Sequence, residues 1–148
     1  MLKHLIHLVG DAHQPLHFDP YHIMGGNLCW VRYQGKAVNM HQLIDRLLLD
    51  QRHQSIDQMA DAIDSINLED ASRSLDLHDW LTESKTALRQ IYPVPIAKLP
   101  FYCKASQTQH LKIIHSEQIQ QLQHHVDHQL ALAGRRLAMI LNAIYDPM

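Results

Sequence analysis

Leu5-Ile6-His7-Leu8-Val9-Gly10-Asp11-Ala12-His13-Gln14-Pro15-Leu16-His17 combines a helical pattern with an abrupt stop. Leu2, Leu5, Ile6, Leu8 and Val9 supply the apolar side of a helix over residues 2–13. His7 and Asp11 are four apart, so they stack one turn apart on a single helix face. Pro15 lacks an amide proton and clashes with the turn behind it, so the helix ends there. His17 is then carried back by the segment that follows. Two ligand-type side chains on a rigid rod and a third after a fixed bend have the spacing of a metal site.

The same spacing returns at His41 and Asp45. Asn39 is a good N-cap with Gln42 in the capping-box position, and it opens a helix there. Ile44, Leu47 and Leu48 continue that helix as an apolar stripe. The polar pair therefore sits at the inner end of a packed helix. An unpaired charge is costly there, and a cation would satisfy both side chains. Two imidazoles and a carboxylate leave an open position on zinc, and they favour zinc over magnesium. Between the two ligand-bearing helices come a loop through Asp19-Pro20 and a turn at Gly25-Gly26, which tolerates positive φ. Asn27 is expected to bond that turn. A hairpin of Leu28–Tyr33 and Ala37–Val38 follows, split by Gln34-Gly35-Lys36, as the only β structure expected.

Further on, Ile56, Met59, Ile63 and Ile66 mark a short helix. Leu77, Trp80, Leu81, Ser84, Leu88 and Ile91 mark another, capped by Asp76 and ended by Tyr92-Pro93-Val94-Pro95. Residues 93–115 read as a long irregular connection. The longest helix runs from about Ser116 to about Ala143. Its stripe is Ile119, Leu122, Val126, Leu130, Ala133, Leu137, Ile140 and Ile144. Ala131, Gly134 and Ala138 form a small-residue ridge that invites a close helix neighbour. The whole reads as an all-α bundle with one small hairpin, a single domain over residues 1–148.

Charge is nearly balanced, with 13 Lys+Arg against 15 Asp+Glu, so no basic field marks a nucleic-acid surface. A protein that meets phosphate through cations does not need one. The anomaly is 13 histidines, the commonest metal ligand. Several, including His124, His125 and His128, are expected at the surface. Cys29 and Cys103 allow at most one disulfide, and the residues leave its formation open. No run is apolar enough for a membrane span, and the first residues make a poor export signal.

His7-Leu-Val-Gly-Asp11-Ala-His13-Gln-Pro-Leu-His17, Gly25-Gly26-Asn27 and Asn39-Met-His41-Gln-Leu-Ile-Asp45 together resemble the core of the zinc-dependent single-strand nucleases. These are the S1/P1 nuclease family, within the phospholipase C/P1 nuclease superfamily. Trp80-Leu-Thr-Glu83-Ser84 and Leu132-Ala-Gly134-Arg-Arg136-Leu-Ala138, with Leu141-Asn142, resemble two later blocks. The resemblance implies a helical fold with three zinc ions. It implies that Asp11, the catalytic residue, bridges a close zinc pair, that His7 binds one of that pair, and that His17, His41 and Asp45 hold the third ion. A hydroxide between the paired ions attacks phosphorus, and the third ion steadies the departing 3′ oxygen. Single-stranded DNA and RNA are the implied substrates, cut to 5′-phosphates, with 3′-nucleotidase activity alongside.

The departures matter as much. In the family an N-terminal tryptophan, two histidines and an aspartate complete the zinc set, and an aromatic residue in that part stacks a base. None of these precedes His7 here. The chain is therefore expected to be the C-terminal part of such a nuclease, to bind about one zinc well, and to turn over little. Ile23 stands where the family has aspartate, and Ile44 where it has tryptophan. Asn27 and Asn39 are expected behind the ligands, His13 behind them or in a structural role, His4 at the surface and Trp80 in the core. Glu83 is expected to cap or orient a neighbour, and Arg135 and Arg136 to lie at the rim of the long helix. Two other functions compete. A zinc-dependent phospholipase C commonly has glutamate in place of Asp45 and lacks the Gly-Asp-x-His-Gln-Pro-Leu-His string. An impaired metal-binding fragment would arise from a shortened reading frame. Family members are typically exported, but compartment stays open.

Overall fold

A computed structural model describes residues 1–18, 22–68, 73–92, 94–106 and 111–146. Helix α1 spans Leu2–Ala12 and runs through His13 into a 3-10 turn at Pro15–Phe18. Asp19-Pro20 and Pro93 lie outside the described residues. Strands β1 (Trp30–Tyr33) and β2 (Lys36–Asn39) pair antiparallel, Trp30 opposite Asn39 and Tyr33 opposite Lys36. Gln34 and Gly35 both take positive φ (48° and 78°), as a two-residue hairpin turn requires. Asn39 then caps helix α2, its side chain accepting from the Gln42 amide at 2.7 Å. Helix α2 begins as Met40–Gln42, loosens into a π-helical stretch at Leu43–Leu47 and closes as Leu48–Asp50.

Helix α3 (Ile56–Asp64) carries a complete Ser55/Gln58 capping box, yet none of its residues is buried and Ile56 is exposed. Helix α4 is Leu77–Ile91, with the Asp76 side chain accepting from the His78 amide. The expected irregular connection over residues 93–115 is instead structured. It holds a 3-10 turn at Ile96–Lys98, helix α5 at Leu99–Ser106 and strand β3 at Lys112–Ile113. Pro100 sits in the first turn of α5, where its missing amide proton costs nothing. Leu99 and Cys103 bury their side chains in the main core, and Cys103 is disulfide-bonded to Cys29. Strand β3 pairs parallel with β1, so the hairpin is not the whole β structure, and the sheet order is β2-β1-β3.

Helix α6 spans Ser116–Tyr145. Its expected stripe is only partly buried: Leu130 and Ile144 are exposed, while Gln129 and Arg136 are buried. The burying face steps through Leu122, Gln129, Ala133 and Arg136, and a purely apolar reading passes over the two polar positions. The small-residue ridge is buried only at Ala131; Gly134 and Ala138 are exposed, and a Cβ added at Gly134 would meet nothing within 4 Å. The main core gathers Leu16, Ile23, Val31, Met40, Leu43, Leu48, Leu88 and the disulfide. A second cluster joins Val9, Trp80 and Ala133, flanked by Leu5, Leu137 and Ile140. Ile23 and Ile44, the two departures from the family pattern, are both buried in the main core.

Candidate metal centre

His17, His41 and Asp45 come from the 3-10 turn and the start of α2, and their ligand atoms all lie within 4.8 Å of one another. Among the described residues this is the one group of three or more ligand-type side chains so gathered. The π stretch does not disturb the pair four apart: His41 Nε2 lies 2.9 Å from Asp45 Oδ2. The His17 and His41 rings stack with centroids 5.6 Å apart. Asp11, at the end of α1, touches the same group, its Oδ1 3.5 Å from His17 Nδ1. Its Oδ2 lies 3.3 Å from His7 Nε2. The five residues thus form a chain of contacts from exposed His7 to half-buried His41. No third ligand gathers with His7 and Asp11 among the described residues.

The residues fit a cation. His41 Nδ1 donates to the Gly25 carbonyl at 2.9 Å. That bond engages Nδ1 and leaves Nε2, which faces Asp45, as the ring nitrogen turned to the centre. Asp45 Oδ1 accepts from Gln14 Nε2 at 2.7 Å, leaving Oδ2 on the side of His41. Each of these two side chains therefore has one polar atom held by the surrounding fold and one turned to the centre. The donor set, two imidazoles and a carboxylate, suits a transition-metal ion with open positions.

Close packing holds the parts in register. Gly25 and Gly26 have φ of 60° and 88°. A Cβ on Gly25 would stand 3.0 Å from the Leu16 carbonyl oxygen and 3.5 Å from His41 Nδ1. On Gly26 it would stand 3.1 Å from the Tyr92 hydroxyl and 3.2 Å from the His41 amide. The glycine pair lets the His17 turn press against the His41 helix. Asn27 closes the same turn, donating to the Met24 carbonyl at 2.9 Å.

His13 points the other way. Its Nδ1 donates to the Val9 carbonyl at 2.7 Å, and its Nε2 accepts from Arg136 Nη1 at 2.8 Å. Burial is the main influence holding its pKa below the usual histidine value; the Val9 bond opposes this. Arg136 is fully buried rather than at a rim, because Glu83 grips it with two bonds of 2.7 and 2.8 Å. Its guanidinium also lies 5.2 Å from the centroid of Trp80, a buried side chain whose indole donates to the Ser74 carbonyl. His4 is exposed. Two contributors escaped sequence reasoning, Gln14 and the Gly25 carbonyl. Gln14 lies inside the His-Gln-Pro-Leu-His string, but nothing in spacing ties it to Asp45, 31 residues away.

Residues 1–146 match the family model described as S1/P1 Nuclease. Over 44 residues, 30% of the chain, it is 46% identical to Nuclease S1 of Aspergillus oryzae, covering 15% of that protein. It is 27% identical to Endonuclease 4 of Arabidopsis thaliana over 151 aligned positions, 98% of this chain and 50% of that protein. The chain thus spans at most about half the length of these relatives.

Proposed function

Because the chain belongs to the S1/P1 nuclease family, we propose that it serves zinc-dependent hydrolysis of phosphodiester bonds in single-stranded nucleic acid, giving 5′-phosphates. A 3′-nucleotidase activity belongs to the same reading. The observation that carries it is the convergence of His17, His41 and Asp45, with their outer atoms held by Gly25 and Gln14. Zinc bound there would supply Lewis-acid stabilisation of charge on a departing oxygen.

The chain's own residues do the rest by positioning. His41 is held by its Gly25 bond with Nε2 turned to the centre. Asp45 balances positive charge at the centre. Asp11 and His7 continue the ligand row away from that centre. A mainly apolar groove of about 660 Å³ opens beside Asp11 and His17, lined in part by Leu8, Phe18 and Leu77. It offers a wall for bases next to the phosphate being cut.

A second reading, metal binding with little turnover, is favoured by one observation: among the described residues no third ligand gathers with both His7 and Asp11. Two ligands do not hold a close pair of cations, whose mutual repulsion needs more carboxylate charge. Cleavage of single-stranded DNA by the purified chain with added zinc separates the readings. The nuclease reading expects turnover that EDTA abolishes and that Asp11→Asn and His41→Ala each reduce strongly. Zinc binding without cleavage supports the second reading. Cleavage indifferent to EDTA and to both substitutions would contradict the assignment of this site.

A further inference from the structure

We infer that Gln14 is a positioning residue for the His17, His41 and Asp45 centre, holding Asp45 to one coordinating oxygen and tying that carboxylate to the turn that carries His17. The inference rests on the metal-centre reading above. Gln14 follows α1 and precedes Pro15, so it lies at the joint between the Asp11 helix and the His17 turn. The Leu16 amide donates to Gln14 Oε1 at 2.6 Å. A backbone N–H needs an acceptor, so this bond fixes which end of the carboxamide is oxygen. The amino end faces Asp45 and donates to Oδ1 at 2.7 Å.

That bond has two effects. It occupies Oδ1, leaving Oδ2, 2.9 Å from His41 Nε2, as the oxygen available to a cation. It also holds the plane of the carboxylate, which otherwise rotates about its last torsion and can present both oxygens. The anchor itself is firm, because Leu16 is almost fully buried in the main core. Gln14 thus links two ligand-bearing segments that are far apart in sequence, and it presets both before a cation arrives. Outer partners of this kind orient metal ligands, and their loss costs about 10- to 100-fold in metal affinity.

The test uses Co²⁺ as a coloured probe on the intact chain, with folding followed by far-ultraviolet circular dichroism. Gln14→Ala removes both bonds, and Gln14→Met removes them while keeping the side chain's bulk. Both are expected to weaken Co²⁺ binding by about 10- to 100-fold. Both are also expected to dim the visible bands of four-coordinate Co²⁺, as Asp45 swings to bind through two oxygens. A purely structural role for Gln14 would not change that coordination signature. In the unaltered chain, the Gln14 side-chain amide resonances are expected to shift when Zn²⁺ is added. His41→Ala is the reference. If it leaves Co²⁺ binding unchanged, the metal-centre reading fails. If it abolishes binding while a folded Gln14 variant keeps wild-type affinity and absorption, or while Gln14 resonances ignore Zn²⁺, the Gln14 inference alone is overturned.

Discussion

At the residue scale, Arg136 shows how the molecule places a charge in its interior. It has no exposed surface, yet Glu83, His13 and the face of Trp80 surround its guanidinium. Removing one partner of a buried pair leaves an uncompensated charge and costs about 3–5 kcal/mol. Glu83→Ala is therefore expected to lower unfolding free energy by roughly that amount in urea titrations. Arg136→Lys is expected to recover little, because an ammonium cannot form the two-pronged bond. Gly25→Ala acts differently. Its φ of 60° makes a side chain cost about 1–2 kcal/mol, and the added Cβ would stand 3.0 Å from the Leu16 carbonyl. Because Gly25 also holds His41, zinc affinity is expected to fall in the same variant, as read by chelator competition. The sequence reading found Glu83 and Arg136 as part of a block but placed Arg136 at a rim. A charged residue on a helix reads as exposed until its partner, on a distant helix, is known.

At the element scale, the hairpin and its partner strand are tied to α5 by the Cys29–Cys103 disulfide, which closes a separation of 74 residues. A loop of that size gives about 4 kcal/mol in the chain-entropy model, and removing such a bond typically costs ~2–5 kcal/mol. Reduction with dithiothreitol is expected to lower the urea midpoint accordingly, with the Cys29→Ser variant insensitive to the reductant. In α6, burial is the first cause that holds His125 below the ordinary histidine pKa, followed by the charges of His124 and His128. The fold thus favours neutral His125, and the unfolded chain binds more protons below its value of about 6.5. Stability from this group is present above that value and is lost as pH falls toward the folded pKa. His125→Asn is expected to lose less stability than wild type as pH falls below about 6.5. The length of α6 was readable from period alone. Its buried face was not, because Gln129 and Arg136 occupy positions that an apolar pattern discounts.

At the scale of the whole molecule, the helical class and the order of ligand-bearing helices follow from hydrophobic period, caps and the Pro15 stop. The convergence of His17, His41 and Asp45 was also readable, since a fixed bend and a capped helix start limit where each side chain can go. Strand β3 was not, because two residues paired to a distant strand carry no periodic signal. Nor was α5, which is only eight residues long and whose Pro100 reads as a breaker. The proposed function requires that one centre, built by His17, His41 and Asp45, hold zinc. Elemental analysis of zinc bound per chain after gel filtration, for wild type and for His41→Ala and Asp45→Asn, decides this. Wild type is expected to keep about one tightly bound zinc, and either variant close to none. Wild type without zinc, or variants that retain the wild-type amount, would contradict it.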